Sequence, residues 1–472
     1  MKLRGPVILT LVLAGGQLLG LFRTFLVARI LGTEIQGEAI AIGLLMGLVL
    51  CMLSMNNAWQ LVQSRTRDLD GLQDTLQGMG LLTGLIGSIT LLVAGSFLLE
   101  YIGQRQLLLP LYVISLNPFI EGFTSLDPWR ELREKRYRSL AFFQMAGPIG
   151  GTLTAIIALS LTQSIWTVVI IAGGTSISRV VASHFVAKRK WRPSIRREHM
   201  RPVFRFWLPL VPAGLLFWIN SKSDQILMFI GARTDWLPEF SIEEIGAYGT
   251  VAGLILLPRG TIVTAMKSVL IPNLAEVRSD SVRLRRQTRK SVAALTALAI
   301  VILLTGMLVG DAVFTVGLGR DYAAGARVAP ILITALSIQL FRTYCYESSV
   351  AMGQTSVQLV GNLFRLSSMG FAIVFLMNGQ GIAGLASSVL WGEIISTIAA
   401  VAWLIFTGQR ESWVVLPATL LTVAILFLCL PLLNLIQEVS PEHRLTTAAV
   451  VFVLLLATFL VVLRRRLLTI FR

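Results

Sequence analysis

Apolar residues run along this chain in long blocks, and polar residues gather in the short intervals between them. Each block is about 20 residues, the length a helix needs to cross a hydrocarbon core about 30 Å thick. Fourteen blocks are legible, at 5–30, 38–62, 78–99, 106–127, 140–161, 164–187, 203–230, 245–270, 291–313, 327–349, 357–378, 382–406, 413–436 and 445–463. Two connections, around Thr162–Ser164 and Asn378–Gly381, are short enough for neighbouring blocks to merge, which widens the range to twelve to fourteen. The pattern predicts an all-α polytopic membrane protein with about 14 transmembrane helices. The first block has no small-x-small cleavage site and further spans follow it, so it reads as a span rather than a cleaved leader.

Composition agrees. Of 472 residues, 55% are hydrophobic and 14% charged, against roughly 25% charged in soluble domains. The mean hydropathy is +0.74. These values exclude a cytosolic enzyme, a secreted disulfide module and a disordered chain. Cys51, Cys345 and Cys429 lie far apart, and the three histidines show no metal-ligand spacing, so neither a disulfide framework, a metal centre nor a cofactor is expected. No connection can hold a soluble catalytic domain, and no GxxxxGK[ST] motif is present. A non-enzymatic protein is expected.

Forty-one basic residues against 25 acidic ones give a net charge of +16. Alternate connections divide this charge unequally. SRTRDLD, PWRELREKRYR, KRKWRPSIRREHMR, EVRSDSVRLRRQTRK and the terminal RRRLLTIFR are basic, whereas EIQGE, EYIGQRQ, ARTDWLPEFSIEE, GRDYAAGAR and QEVSPEHR are sparse or acidic. Basic connections stay cytoplasmic, so both termini are expected in the cytoplasm. The excess charge is read as meeting membrane lipid headgroups rather than nucleic acid.

RILGTEIQGEAIAIGLLMGL, from Arg29, and FIGARTDWLPEFSIEEIGAYGTVAGL, from Phe229, share a layout: an apolar helix ending near Gly, an acidic stretch, then Gly and small apolar residues. Six spans separate them, an even number that keeps their orientation. Two parallel six-helix lobes are therefore expected, related by a pseudo-two-fold along the membrane normal, with the substrate path between them. The expected divisions are an N-terminal lobe at 1–202, a C-terminal lobe at 203–407 and two additional spans at 408–472.

ARILGTEIQG at 28–37, IGAYGTVAGL at 245–254, IPNLAEVRSDSVRLRR at 271–286, GRDYAAGARVAPIL at 319–332, MGQTSVQLVGNLFR at 352–365 and NGQGIAGLASSVLWGEIIS at 378–396 occur in this order. In sequence and position they resemble the oligosaccharide flippases of the multidrug/oligosaccharidyl-lipid/polysaccharide exporter superfamily. Glu38 and two spans beyond a twelve-span core depart from that pattern. The resemblance implies translocation of an undecaprenyl-diphosphate-linked oligosaccharide across the bacterial inner membrane for surface polysaccharide biosynthesis. It implies as partners that lipid-linked glycan, membrane lipids and the polysaccharide polymerase and export machinery.

Ionisable residues inside the spans carry the candidate chemistry. Each costs about 2.5–3.5 kcal/mol on insertion scales. The cations are Arg23, Arg179, Lys222, Arg259, Lys267, Arg342 and Arg365; the anions are Glu121, Asp224, Glu347 and Glu393. Seven unpaired cations would cost on the order of 20 kcal/mol, so a hydrated cationic cavity is expected. Such a cavity suits a diphosphate, whose oxygens guanidinium groups bind in pairs. Arg23, Arg259 and Arg365 sit deepest and are the leading diphosphate contacts, with Lys222 next. Arg179 and Arg342 lie nearer span ends, where snorkelling is the competing reading.

Asp224 and Asn220 share one helical face at a spacing of four and form a candidate coupling-ion site, with Glu393 as a weaker alternative. Each carboxylate could equally serve as the structural partner of an arginine. Asn56, Asn57, Gln60, Asn117 and Gln144 would provide a sugar-tolerant lining, with Trp59 and Trp218 for stacking or interfacial anchoring. Pro118, Pro148, Pro209, Pro212, Pro258 and Pro272 mark kinks or hinges. Alternative functions are a lipid II flippase, a multidrug or cation antiporter of the same superfamily, and a membrane-embedded glycan polymerase or ligase. The arginine excess argues against the antiporter, and the short outer connections argue against the polymerase.

Overall fold

The computed structural model describes residues 4–53, 57–64, 66–208, 210–231, 234, 236–277, 280–352 and 356–425, and all regular structure among them is helical. In chain order the helices are α1 (Arg4–Leu53), α2 (Asn57–Gln63), α3 (Leu69–Tyr101), α4 (Leu108–Ile114), α5 (Asn117–Gly122), α6 (Asp127–Arg133), α7 (Arg138–Leu161), α8 (Ile165–Phe185), α9 (Arg197–Trp207), α10 (Leu210–Gly231), α11 (Ile242–Leu256), α12 (Arg259–Val277), α13 (Ser281–Leu318), α14 (Ala323–Ala351), α15 (Ser356–Arg365), α16 (Ser367–Met377) and α17 (Gly381–Phe406). Nine helical stretches among these residues are long and apolar enough to cross a membrane, or ten if the bent pair Arg105–Gly122 and Asp127–Arg133 counts as one. Asn56, Pro209, Cys429, the side chains of Lys267 and Pro272, and the expected span 445–463 lie outside the described residues.

Several boundaries differ from the sequence pattern for local reasons. The expected loop between the first two spans is helical, and the only break is Gly32 at φ 75°, ψ 179°, a conformation that glycine adopts without a Cβ clash. The expected span 245–270 is broken between α11 and α12 at Leu257–Pro258. Proline lacks an N–H to donate and its ring crowds the preceding turn. The expected span 357–378 is divided into α15 and α16 at Leu366.

The chain divides into two compact units, one of Met1–Lys222 with Ser241–Gly246 and the other of Ser223–Phe240 with Ala247–Arg472. The division falls inside α10.

In the first unit, Val27 and Leu31 of α1 pack on Ala155 and Leu159 of α7. Small residues let helices approach closely: a Cβ at Gly174 would fall 2.3 Å from Thr154 Cγ2. Close backbone contact also joins the two repeated motifs. A Cβ at Gly246 would lie 1.8 Å from the Thr33 carbonyl oxygen, and one at Gly37 would lie 2.0 Å from that of Ile242.

The first turns of α3, Gly71–Met79, are buried beneath the connection that follows α8. Arg189 forks onto Asp74, Nη1 to Oδ1 at 2.6 Å and Nη2 to Oδ2 at 3.1 Å. Asp127 accepts the Lys188 N–H at 2.7 Å. Part of the basic charge in these connections is thus tied down by acidic partners. Along α3 and α7 the outward side chains are apolar, including Phe97 at 70% exposure and Leu161 at 74%, as a lipid-facing surface requires.

In the second unit α14 is the central helix. Its most apolar window is 83% buried, whereas the corresponding windows of the neighbouring helices Ser281–Gly306, Ser356–Met377 and Gly381–Phe406 are 28–39% buried. Leu340, Phe341, Tyr344 and Cys345 pack against Met266, Leu270 and Leu274 of α12, Leu295 and Ala299 of α13, and Val401 and Leu404 of α17. This apolar sleeve encloses the polar residues that α14 also carries.

Candidate functional site

The densest group of buried charge lies in the second unit, around Glu393 of α17. The carboxylate is 1% exposed, accepts three hydrogen bonds and is ion-paired with two arginines. Its Oε1 accepts from Gln339 Nε2 at 2.8 Å and Arg342 Nη2 at 3.2 Å, its Oε2 accepts from Arg342 Nε at 2.8 Å, and Arg365 Nε lies 2.9 Å from Oε1 in an ion pair. Arg342 Nη1 also donates to Tyr346 Oη at 3.0 Å and to Asn362 Oδ1 at 3.3 Å. Glycines admit these side chains. A Cβ at Gly361 would fall 2.2 Å from the Tyr346 hydroxyl, and one at Gly392 would fall 2.5 Å from Ser368 Cβ.

Arg259, at the start of α12 beside the Pro258 break, lies within electrostatic reach of Glu393, Arg342 and Arg365. Asp224 lies within reach of Arg365. It is 8% exposed, accepting the Tyr248 hydroxyl at 2.6 Å and the N–H of Gln225 at 2.9 Å. Among these described groups, three guanidinium groups face two carboxylates, a positive excess. In apolar surroundings such an excess is retained where it meets a polar cavity or an anion.

The first unit holds a smaller group. Arg23 of α1 reaches Thr175 Oγ1 of α8 at 3.5 Å, and its guanidinium lies against Gly151 of α7, where a Cβ would come within 1.9 Å. Arg179 pairs with Glu121 at 3.2 Å and lies over the Phe143 ring at 5.5 Å. Lys222 is half-buried on α10, the helix that also carries Asn220 and Asp224.

The structure thus joins Arg259, Arg342, Arg365 and Glu393 in one cluster and sets Arg23 and Arg179 in another. Arg342 is not a snorkelling side chain, being 2% exposed. Gln339, Tyr346, Asn362 and Tyr248 complete the network and were not singled out in the sequence. The signal was available in QLFRTYCYE at 339–347, where polar groups recur every three or four residues along an apolar helix.

A model of the polysaccharide biosynthesis protein family matches residues 26–326, nearly two-thirds of the chain. The chain belongs to this family. No curated protein matches it by sequence. Among solved structures, this family member resembles a lipid II flippase MurJ in an inward closed conformation, with a TM-score of 0.73 and 14% identity, covering 98% of this chain and 100% of that one. It also resembles an inward-facing multidrug resistance MATE family transporter of the MOP superfamily, with a TM-score of 0.65 and 17% identity over 86% of this chain and 98% of that one. A MATE in a bent conformation gives a TM-score of 0.57 at 16% identity, covering 89% and 96%. The fold is therefore the one these MurJ and MATE structures share, as the sequence motifs imply. The family member is a multi-pass membrane protein, with nine or ten helical stretches among the described residues long and apolar enough to cross a membrane.

Proposed function

We propose that this protein flips a polyprenyl-diphosphate-linked oligosaccharide repeat unit across the bacterial inner membrane by alternating access, for surface polysaccharide biosynthesis, with both termini cytoplasmic. The observation that carries the reading is the positive excess around Glu393. Glu393 accepts three hydrogen bonds and is ion-paired with Arg365, so it fixes Arg342 and Arg365 as a platform. Arg259 adds a third guanidinium near the Glu393 carboxylate, and Arg23 supplies a second cationic position in the first unit.

A diphosphate carries about two negative charges, and outward movement of each gains about 2.3 kcal/mol per 100 mV of inside-negative potential. The potential alone therefore biases export. Asp224 is a better candidate for a coupling proton or sodium ion than Glu393, because a neutral tyrosine, Tyr248, donates to it, whereas Glu393 is paired with two arginines. Asn220 lies four residues earlier on the same helical face.

The experiment is a deletion strain examined for its lipid-linked intermediates. Build-up of a lipid-linked repeat unit on the cytoplasmic face is the expected result. Build-up of lipid II instead would assign the substrate to peptidoglycan synthesis. A monomeric unit already outside, with polymer lost, would overturn the flippase reading.

A further inference from the structure

The first unit also contains a cavity of about 220 Å³. Leu53 at the end of α1, Leu76 of α3 and Pro118 of α5 form apolar walls, and Asn57, Gln77 and Glu121 add polar groups. Gln77 is 2% exposed, and neither its amide nitrogen nor its amide oxygen has a hydrogen-bond partner among the described residues. Asn57 donates to the Leu76 carbonyl at 3.1 Å, which leaves its buried Oδ1 without a partner. Buried polar atoms in proteins are almost always paired, so three such atoms lining one cavity mark a place for a polar ligand.

The chemistry narrows the ligand. Glu121 is neutralised by Arg179 at 3.2 Å and also accepts from Ser176 at 3.2 Å. The cavity thus offers an amide donor and two amide acceptors with no net charge. That suits neither a diphosphate, which needs cations, nor a bare cation, which needs an unbalanced carboxylate. It suits hydroxyl groups, each of which donates and accepts. A water occupies about 30 Å³ of liquid volume, so there is room for roughly seven, which is too wide for one ion and enough for one sugar ring.

We propose that this cavity is a subsite for a neutral polyhydroxylated ligand, one sugar residue of the transported glycan, bound by Gln77 and Asn57 with its apolar ring face on Leu53 and Pro118. The origin of the sugar rests on the flippase reading; the binding does not.

The test places a reporter in the wall. A Cβ at Gly80 meets only Asn57 Nδ2 at 3.5 Å and the Gly122 carbonyl at 3.7 Å, so Gly80→Cys fits. The full chain, carrying Cys51→Ala, Cys345→Ala and Cys429→Ala, is placed in lipid nanodiscs. Its labelling by a small maleimide is timed with methyl glycosides of glucose, galactose, mannose, rhamnose and N-acetylglucosamine. At twice its dissociation constant, a bound glycoside slows labelling about threefold by mass action. Gln77→Leu removes the protection, with Asn57→Leu as the second variant if the first fails to fold. Sodium chloride and inorganic pyrophosphate leave the rate unchanged.

Equal rates with every glycoside, protection that survives both variants, or protection by sodium or pyrophosphate alone would overturn the proposal. Glycoside protection in a protein whose deletion causes no lipid-linked unit to accumulate keeps the subsite and removes the flippase reading. Accumulation without glycoside protection does the reverse.

Discussion

Arg342 and Glu393 face each other from α14 and α17 as a two-pronged ion pair, Nε to Oε2 at 2.8 Å and Nη2 to Oε1 at 3.2 Å, with at most 3% of either side chain exposed. Removing one partner of a buried pair leaves the other charge uncompensated, at a cost of about 3–5 kcal/mol. Here Glu393→Ala strands two arginines. It is expected to lower the thermal midpoint of the purified protein markedly. Glu393→Gln with Arg365→Gln should recover part of the loss, since contacting residues couple. A midpoint unchanged by Glu393→Ala would show that water already solvates the cluster.

Arg23 in the first unit and Arg259 in the second are each proposed as cationic contacts for a lipid diphosphate. A charge-assisted hydrogen bond is worth about 1.5–3 kcal/mol, or roughly ten- to a hundredfold in rate or affinity. Arg23→Ala and Arg259→Ala are each expected to cut export by that factor while membrane insertion and abundance stay normal. Full export in both variants would remove these contacts from the reading.

The Tyr248 hydroxyl is the one side-chain donor on Asp224 among the bonds described above. Tyr248→Phe should cost about 1–3 kcal/mol of stability by leaving Oδ2 short of a donor. Asp224→Asn keeps the shape and removes the charge. If Asp224 carries the coupling ion, transport in proteoliposomes loses its dependence on a sodium or proton gradient in this variant but keeps its response to membrane potential. Unaltered gradient dependence would make Asp224 a structural partner only.

Gly246 and Thr33 meet backbone to backbone, so even a methyl group at Gly246 collides with a carbonyl at 1.8 Å. Gly246→Ala must separate α1 from the start of α11, an overpacking cost of about 1–3 kcal/mol. Gly20 has nothing within 4 Å of its Cβ position, and Gly20→Ala should be neutral or stabilising by up to about 1 kcal/mol through the better helix former. Thermal midpoints of the two variants, compared with the parent, check both signs.

Asp68 lies before α3, outside the membrane spans, and caps it by accepting the Gly71 N–H at 2.9 Å. That bond, followed by the one to His199, holds its carboxyl below the usual range. A carboxyl depressed on folding contributes stability that is present above its unfolded value near 3.9 and is lost as pH falls through the folded value. Hydrogen exchange in the first turn of α3, corrected for intrinsic rates, should therefore accelerate on acidification below about pH 4. Asp68→Asn should flatten that dependence.

The gross plan was legible because each span is a one-dimensional fact: about 20 apolar residues in sequence satisfy the bilayer whatever they pack against. Arg138–Leu161 and Ile165–Phe185 fall within a few residues of the expected 140–161 and 164–187. Breaks were harder to place. Gly32 and Pro258 were visible as residues, yet glycine and proline occur elsewhere inside helices here, as Pro148 and Pro330 do. Only the surrounding packing decides which of them interrupts a helix.

The sequence by itself determined that this chain lives in a membrane as a bundle of helices, and that cations outnumber anions inside it. These follow from local hydropathy and from counting. Tertiary structure alone decided which charges meet. Gln339 and Arg342 reach Glu393 over more than 50 positions, Arg179 finds Glu121, and Gln77 faces a cavity with its amide unmet. Coulomb and hydrogen-bond energies depend on separations of a few ångströms, and helix packing sets those separations between residues far apart along the chain.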